Sequence, residues 1–272
     1  MIAAIHPLEA APSTSPSADQ IVHTLQQTVS ATRLTLYLSC RLRFFFRYVA
    51  GLKKPKTPAL HVGSTVHRVL KAWNKARWRR QPFALKELHE EFAKAWADDE
   101  EGAVDWEQDE AEQQTIAWKL IETYVREANP SAPPEAVEVP VEADLHAHGL
   151  PTLIGILDLV QAGRIIDYKT SGQTPNAERV AHTSEVQTSS YCLLYRHNTG
   201  RQEQGVELHH LVKLKTPKVV ITSLPPMSEA QQTRLFHLME GYVEGLARRD
   251  FLPSPGLQCA SCEFFNECRA WS

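Results

Sequence analysis

The sequence predicts an α/β fold, in which a mixed central sheet of four or five strands is flanked by helices. Residues 153–160 and 164–169 are short apolar runs typical of strands, and Ala162-Gly163 between them is typical of a tight turn. Residues 61–76 repeat apolar side chains at helical spacing. Further strands are expected near 137–144, 206–214 and 218–223, and further helices near 32–46, 84–98, 108–128, 182–197 and 229–248.

The first part of the chain is expected to be helical after a flexible leader. Residues 1–28 contain the run Pro12-Ser13-Thr14-Ser15-Pro16-Ser17, whose composition is typical of an unstructured segment. Residues 29–130 contain the first helical patterns, and residues 61–76 have the clearest apolar face among them. We therefore expect a leader, 1–28, followed by a helical N-terminal part, 29–130.

Residues 131–250 are expected to form the core, and residues 251–272 a cysteine-rich tail. The core holds the predicted strands and a long final helix, which begins at a capping-box pattern, Ser228-Glu229-Ala230-Gln231. A chain of 272 residues is long enough for one large domain with a sizeable core. Residues 29–272 are therefore predicted to be one domain.

Composition and charge argue against several classes of protein. The chain is 43% hydrophobic and 22% charged, and its net charge of −3 argues against a protein that coats nucleic acid nonspecifically. No apolar run approaches the length of a membrane span, and residues 1–20 lack the pattern of a secretory signal. We therefore expect a cytoplasmic protein with no membrane partner. In that compartment the five cysteines are better explained as metal ligands than as disulfides.

Two acids and a lysine in the predicted hairpin give the strongest chemical signal. If Ala162-Gly163 is a two-residue loop, Asp158 faces Asp167, whereas a loop one residue longer would send the two acids to opposite faces. Side chains alternate along a strand, so Asp167 and Lys169 share a face. Two close carboxylates repel each other unless a divalent cation lies between them. The hairpin therefore predicts a metal site beside a catalytic amine.

Two helical pairs accompany the hairpin. Gly63 and His67 lie one turn apart, so that Gly63 permits a close approach and His67 offers an imidazole to a metal. Gln187 and Tyr191 are also four residues apart, where an amide and a phenol could reach a phosphate or a base. Each pair alone is ordinary, because a histidine is more often a core or surface residue and Gln187 with Tyr191 is an unremarkable helix face. Likewise, Asp167 with Lys169 alone could be a surface ion pair.

Taken in order, four motifs resemble the RecB-like branch of the PD-(D/E)XK nucleases: Gly63-xxx-His67, Gly155-Ile156-Leu157-Asp158, Asp167-Tyr168-Lys169-Thr170 and Gln187-xxx-Tyr191. The resemblance covers about residues 30–269. It implies a restriction-endonuclease-like α/β fold and a metal-dependent DNA nuclease. Within that branch the implied activity is that of an exonuclease on single-stranded DNA or DNA ends.

The resemblance also implies a role for each residue. Mg²⁺ or Mn²⁺ would be bound by four groups: His67, Asp158, Asp167 and the backbone carbonyl of Tyr168. Lys169 would orient or deprotonate the attacking water and offset charge on the phosphate. Gln187 and Tyr191 would position the lysine and the DNA backbone. Glu142 lies on the preceding strand, where relatives often carry an acid.

The cysteines give an independent signal. Cys40 lies far upstream of a terminal group, Cys259-xx-Cys262-xxxxx-Cys268. This arrangement resembles the iron–sulfur staple of Cas4 nucleases and of the nuclease domain of AddB-type helicase–nucleases, which implies a 4Fe–4S cluster held by four thiolates. Zinc also accepts four cysteines, and spacing alone does not separate the two metals. Loss of the cluster should loosen both termini, and Cys192 is expected to be a buried free thiol.

A basic run precedes the first long helix. The segment from Cys40 to Lys56 has six basic residues and no acid, and such a run is normally a solvated surface. Because Phe44-Phe45-Phe46 and Tyr48 are interleaved with it, the run could instead guide a DNA strand. The aromatic triplet itself is more typical of a core.

These patterns support a DNA nuclease in repair, recombination or phage DNA processing. One alternative is a Cas4-like nuclease in CRISPR spacer acquisition, although the long leader and the acidic insert near 84–128 depart from compact Cas4 proteins. Another is a non-catalytic iron–sulfur DNA-binding module, against which the complete acid–acid–lysine set counts. The chain has no Gly-x-x-x-x-Gly-Lys-Ser/Thr loop, so unwinding would come from a helicase partner, and a recombination or CRISPR adaptation protein is another candidate partner.

Overall fold

The computed structural model describes residues 16–98, 102–106, 109–127 and 132–271. In these ranges the chain forms one mixed sheet with strand order β1-β3-β4-β5-β6, and β2 pairs with β3 outside this path. The strands are β1 Thr28–Ser30, β2 Pro134–Ala143, β3 Thr152–Gln161, β4 Arg164–Ser171, β5 Val206–Val212 and β6 Lys218–Leu224.

The pairing of the strands is mixed, as the sequence predicts. β3 is antiparallel to β2 and β4, β5 is antiparallel to β6, and the pairs β4–β5 and β1–β3 are parallel. The predicted α/β fold with a mixed central sheet flanked by helices is confirmed. The expected four or five strands become six in the described residues, because the three-residue β1 is too short to show a strand pattern in the sequence.

Helices cover both faces of the sheet. They are α1 Ala18–Gln27, α2 Ala31–Ser39, α3 Arg41–Phe44, α4 Pro58–Trp78, α5 Leu85–Trp96, α6 Glu110–Glu127, α7 Ala177–Thr183, α8 Glu185–Thr199, α9 Glu229–Ala247 and α10 Phe265–Ala270. One core lies between the sheet and α4, α5 and α6. The other lies between the sheet and α1, α2, α8 and α9. No helix of the described ranges is long and apolar enough to cross a membrane.

The hairpin between β3 and β4 has the predicted two-residue loop. Ala162 and Gly163 adopt φ angles of 49° and 70°, as a type I′ turn requires, and Gln161 pairs with Arg164. The last pair of the ladder is Leu159 with Ile166, and Asp158 and Asp167 are the next residues along the two strands. The register therefore places the two acids opposite each other at the point where the strands diverge.

The predicted flexible leader, 1–28, is wrong for its last part. Residues 18–27 form α1, which begins after a capping box at Ser17. The helix buries Val22 and Leu25 in the core, and Tyr242 Oη of α9 donates a hydrogen bond to Leu25 O at 3.2 Å. The segment is mostly polar, so its composition is typical of a flexible leader, but its few apolar residues share one face of a helix. Burial of that face stabilises the helix on the core. Residues 1–15 lie outside the described residues.

Candidate active site

His67 reaches the sheet from α4. This helix begins at an N-cap, Thr57, and its buried residues pack on the sheet, so that His67 lies at the edge of the apolar face. The imidazole Nε2 is 2.9 Å from Tyr168 O, and Nδ1 is 3.3 Å from Asp158 Oδ2. Gly63 lies one turn earlier, where an added Cβ would be 3.4 Å from Thr170 Oγ1. The predicted close approach is therefore between α4 and β4.

Asp158 lies where β3 passes from one core to the other. Leu157 packs in the core on the α8 side, whereas Leu159 packs in the core on the α4 side. Since β4 diverges here, the Asp158 carboxylate replaces a backbone acceptor of the ladder: Tyr168 N donates to Asp158 Oδ2 at 3.2 Å. The side chain of Tyr168 is buried and accepts a hydrogen bond from Asn74 Nδ2 at 2.8 Å, which fixes this stretch of β4.

Asp167 is the buried acid of the site. It is 2% exposed, and its Oδ2 is 2.8 Å from Lys169 Nζ. Gln187 connects the residues of β4 to α8, because its Nε2 donates to Asp167 Oδ1 at 3.1 Å and to Tyr191 Oη at 2.8 Å. Its Oε1 accepts from Lys169 Nζ at 2.8 Å. One amide thus holds the lysine, the acid and the phenol of the predicted site together.

Burial and charge shift the proton affinities in opposite ways. Burial raises the pKa of Asp167, the Lys169 ammonium lowers it, and the charge of Asp158 raises it. Burial lowers the pKa of His67, but the hydrogen bond and charge of Asp158, together with the charge of Asp167, outweigh burial and raise it. Burial also raises the pKa of Tyr191, followed by the charges of the two aspartates. The site therefore has an excess of negative charge, which a cation would relieve.

Glu138 completes a group of ligand atoms that the sequence does not identify. Its carboxylate, the imidazole of His67 and the carboxylate of Asp158 offer atoms that lie within 4.8 Å of one another. Val137 and Val139 pair with Leu159 and Leu157, so Glu138 lies directly across from Asp158. A φ of 51° at Glu138 marks a local irregularity of the strand.

Glu142, the acid considered from the sequence, pairs with Ile154 instead. Since Ile154 precedes Asp158 by four residues on β3, Glu142 lies about 13 Å from Asp158 along the strand. Glu138, and not Glu142, therefore lies beside His67 and Asp158 in the group of candidate metal ligands. Burial raises the pKa of Glu138, as does the charge of Asp158, whereas Lys71 lowers it from 3.5 Å away. An acid inside an apolar run, Val137-Glu138-Val139, was the available signal, but the register of β2 was needed to interpret it.

The group opens onto a groove of about 850 Å³. Arg68 and Lys71 of α4 line one wall, and they pair with Asp98 and Glu138 respectively. The floor is formed by residues of β2 and β3, and the opposite wall by α8. Among the side chains that line the groove are four candidate residues of the metal or phosphate site: His67, Glu138, Asp158 and Tyr191. An extended polymer could therefore lie in the groove with one bond next to the acids.

The four predicted cluster cysteines meet in a second pocket, at the end of α2. Cys40 follows α2, Cys259 and Cys262 flank a short 3₁₀ turn, and Cys268 lies in α10. All four line one pocket. Burial raises the pKa of the Cys268 thiol, and so do the charges of the other three cysteines, which shows how close they are. Cys192 is buried in α8, away from this pocket.

Four residues of the basic run form ion pairs with acids near the end of the chain. Arg43 Nη2 and Arg47 Nη2 lie 2.7 and 2.9 Å from the carboxylate of Glu263. Lys54 Nζ lies 2.6 Å from Glu267 Oε1, and Arg41 pairs with Asp250. We call these four ion pairs the tail clasp. They pair four of the six basic residues with Asp250 and with two acids of the tail, and a role of this run as a DNA guide stays a prediction.

The aromatic residues beside the run follow the expectation of a core. Phe44 is fully buried, and Phe46 packs with Leu42 against Phe264, which is 1% exposed. Their rings are therefore unavailable for stacking with a base.

Comparison with known proteins agrees with this geometry. A family model described as the PD-(D/E)XK nuclease superfamily matches residues 28–269. Among solved structures, the chain is similar to a candidate exonuclease from Eubacterium rectale, with 14% sequence identity and a TM-score of 0.59 over 96% of this chain and 94% of that chain. At this identity the similarity shows the fold alone. No curated protein sequence matches the chain.

Proposed function

The chain belongs to the PD-(D/E)XK nuclease superfamily, and we propose that it is a divalent-metal-dependent exonuclease that hydrolyses single-stranded DNA or DNA ends. The observation that carries the proposal is that His67 meets Asp158 on the lining of one open groove, and that Asp167, paired with Lys169, lies opposite Asp158 in the hairpin. The carboxylates of β3 and β4 are hard oxygen ligands, as Mg²⁺ and Mn²⁺ prefer, and the imidazole of α4 would add one nitrogen ligand.

The donor set fits a divalent ion. His67, Glu138 and Asp158 offer ligand atoms within 4.8 Å of one another, and Asp167 and the Tyr168 carbonyl would join them. The 2.9 Å between His67 Nε2 and Tyr168 O is a hydrogen bond here, and it is also close to the separation of adjacent ligands on an octahedral ion with bonds of about 2.1 Å. When bound, such an ion lowers the pKa of water and offsets charge on the phosphate.

Lys169 would act on the reacting groups directly. Its side chain is a third exposed, and its ammonium lies 2.8 Å from Asp167 and donates to Gln187 Oε1 at 2.8 Å, so its position is fixed by two partners. From there it would orient the attacking water and stabilise the charge that develops on the phosphate. Gln187 and Tyr191 would act as positioning residues, since both contact the other site residues through hydrogen bonds.

The cysteine pocket supports a 4Fe–4S cluster held by Cys40, Cys259, Cys262 and Cys268. In the described residues the group of His67, Glu138 and Asp158 is the one set of three such ligand atoms within 4.8 Å, so no three cysteine sulfurs are that close. Tetrahedral zinc, with bonds of about 2.3 Å, would hold its sulfurs about 3.8 Å apart. A larger cluster suits wider spacing, and it would tie the tail to the start of α3.

We also propose that residues 29–272 act as one nuclease domain, since the N-terminal helices and the strands share their two cores.

The pathway we propose is DNA repair, recombination or phage DNA processing, with a helicase or recombination protein as partner. Its support is the resemblance of the cysteine arrangement to AddB-type helicase–nucleases. The complete acid–acid–lysine set favours a catalytic protein over a binding module.

The test is digestion of end-labelled single- and double-stranded DNA with Mg²⁺, Mn²⁺ or EDTA. We expect cleavage of single strands from an end with either metal and none with EDTA. Asp167→Ala and Lys169→Ala should each lower the rate by roughly a hundredfold or more, the scale for removal of a preorganised charge at a reacting phosphate. Asp144→Ala removes an exposed aspartate that pairs with a histidine, His146 at 2.6 Å, and it should leave the rate unchanged. Full activity of the Asp167 variant would refute the assigned site.

A further inference from the structure

An exposed apolar floor adjoins the acids of the groove. Ile156 is 51% exposed and lines the same groove as Asp158. At this point β3 pairs with β2 on one side, whereas on the other side β1 pairs only as far as Ile154 and β4 pairs only from Leu159 onward. The partner of Ile156 on β2 is Pro140, which is also exposed and lines the groove. A large aliphatic side chain on an inner strand is normally buried, so this uncovered pair needs an explanation.

From these positions we propose that Ile156, together with Pro140, forms a subsite for an unstacked nucleobase of the strand being cut. The subsite rests on the proposed function and adds a substrate preference to it. Ile156 precedes Asp158 by two residues, or about 6.6 Å along a strand, which is within the reach of one nucleotide from its phosphate to its base. A phosphate at the acids therefore brings an adjacent base over the isoleucine.

Charge in the groove fits the same occupant. The acids would hold the metal, and the α4 wall beside them carries two cations, Arg68 and Lys71, which pair here with Asp98 and Glu138 and would exchange these acids for the neighbouring phosphates of a bound strand. Next to these charges, Ile156 and Pro140 make one part of the floor apolar, as the flat face of a base requires. An aliphatic peptide segment would match the floor but would bring no anionic groups to these cations.

The subsite would select single strands. In a duplex each base is covered by its stacked neighbours and paired along its edge, so that no face is free to lie on Ile156. A single-stranded nucleotide offers that face at little cost. Ile156 is therefore a specificity-determining residue, which contacts the base and takes no part in the proton transfers.

Oligonucleotide affinity tests the subsite, with fluorescence anisotropy in the Asp167→Ala background to prevent cutting. Ile156→Ser should weaken binding of single-stranded DNA about tenfold and leave duplex binding unchanged. Ile221→Ser is the matched control, because Ile221 is 52% exposed on β6 and does not line the groove. It should change neither affinity.

An abasic nucleotide placed at successive positions of the strand completes the test. At one position, the protein with Ile156 should lose about the same tenfold in affinity, while the Ile156→Ser protein should lose nothing further. Ile156→Leu keeps an aliphatic surface and should keep the single-strand affinity, and unchanged thermal melting of both variants is the control for folding. The subsite would be overturned if Ile156→Ser bound single-stranded DNA as tightly as the protein with Ile156. It would also be overturned if the Ile156→Ser protein lost a further tenfold in affinity with the abasic strand, because the two changes would then remove separate contacts. Absence of cleavage by the unmodified protein would instead refute the proposed nuclease, and the affinities would still decide the subsite.

Discussion

At the scale of single residues, the buried Asp167 is held at a cost to stability. Burial raises the pKa of its carboxyl group, so the folded protein binds its proton more tightly than the unfolded chain. Between the ordinary pKa of an aspartate and the raised pKa of the folded state, stability falls as pH rises, because the folded state must ionise a buried group. Above that window the penalty is fully present. A bound divalent ion would remove it.

The first prediction concerns Asp167→Asn. In EDTA at neutral pH, the Asn variant should melt at the same temperature as the unmodified protein or higher, since an ionised buried carboxylate is gone. The advantage should shrink as the pH falls below about 4, where Asp167 is protonated in both states. Mg²⁺ should raise the melting temperature of the unmodified protein more than that of the variant. A variant that is less stable than the unmodified protein at pH 8 in EDTA would contradict the claim that the ionised Asp167 lowers the stability of the fold.

The second prediction distinguishes two acids of one strand. Glu138→Gln should weaken Mn²⁺ binding about tenfold or more, because one ligand charge of the group with His67 and Asp158 is lost. Glu142→Gln is the matched control on β2, and it should leave Mn²⁺ affinity unchanged. Titration calorimetry with the metal alone measures both. Equal affinities of the two variants would remove Glu138 from the metal group.

The sequence predicted the residues of the hairpin but not Glu138. The two-residue loop at Ala162-Gly163 fixes the register locally, so Asp158 opposite Asp167 could be deduced. Glu138 depends on the register between β2 and β3, which are separated by a longer connection and contain an irregularity between Pro134 and Ala136. No local pattern determines that shift.

At the scale of elements, the tail clasp joins segments that are far apart in the sequence. The basic run supplies the cations, and the tail supplies Glu263 and Glu267 as acids. Phe264 between them is buried against Leu42 and Phe46. Because these contacts join protein side chains alone, we expect them to help hold the four cysteines near one another before iron arrives. Composition alone left both a solvated surface and a DNA guide open, because it cannot show which distant acids will pair with the run.

The third prediction tests the clasp by reversing one charge. Glu263→Lys would place a cation against Arg43 and Arg47. In the cluster-free protein, the rate of hydrogen exchange of residues 257–271 should then rise about fivefold. The effect is small because a half-exposed ion pair contributes about 1 kcal/mol or less. Adding Arg43→Glu should restore part of the protection. The control is Glu244→Lys, which faces Arg248 at 3.3 Å on the surface of α9.

Salt offers a second measure of the clasp. In the unmodified cluster-free protein, about 1 M NaCl should also raise exchange of the tail, because a screening length of about 3 Å weakens half-exposed pairs. If neither charge reversal nor salt changes the exchange, the burial of Phe264 alone docks the tail.

At the scale of the whole molecule, the two proposed metal sites lie in different parts of the structure. The acids lie on the sheet beside α4 and α8, whereas the cysteines lie between α2 and the tail. The layered fold was predictable because its strands and helices show regular apolar patterns. The helix α1 was not, because it is short and polar on most of its surface and needs contacts with α9 to be stable.

The fourth prediction is that the two sites can be removed separately. Asp167→Ala should abolish cleavage and leave the brown colour of anaerobically purified protein intact. Cys262→Ala should bleach and destabilise the protein by about 2 kcal/mol or more, as the loss of a cross-link would. Cys192→Ala changes a buried thiol outside the pocket and should keep the colour. Absorption spectra and metal analysis check these outcomes, and a colourless protein that contains zinc would refute the cluster.

The position of Cys40 has a consequence for biosynthesis. A ribosome makes Cys40 when β1 is the one strand of the described sheet already translated, but the other three thiols emerge only after β6 and α9. The complete ligand set can therefore exist only once the rest of the sheet has been translated. Iron delivery would have to follow translation of the tail, and a nascent chain that stalls before Cys259 could fold its acids yet never acquire the cluster.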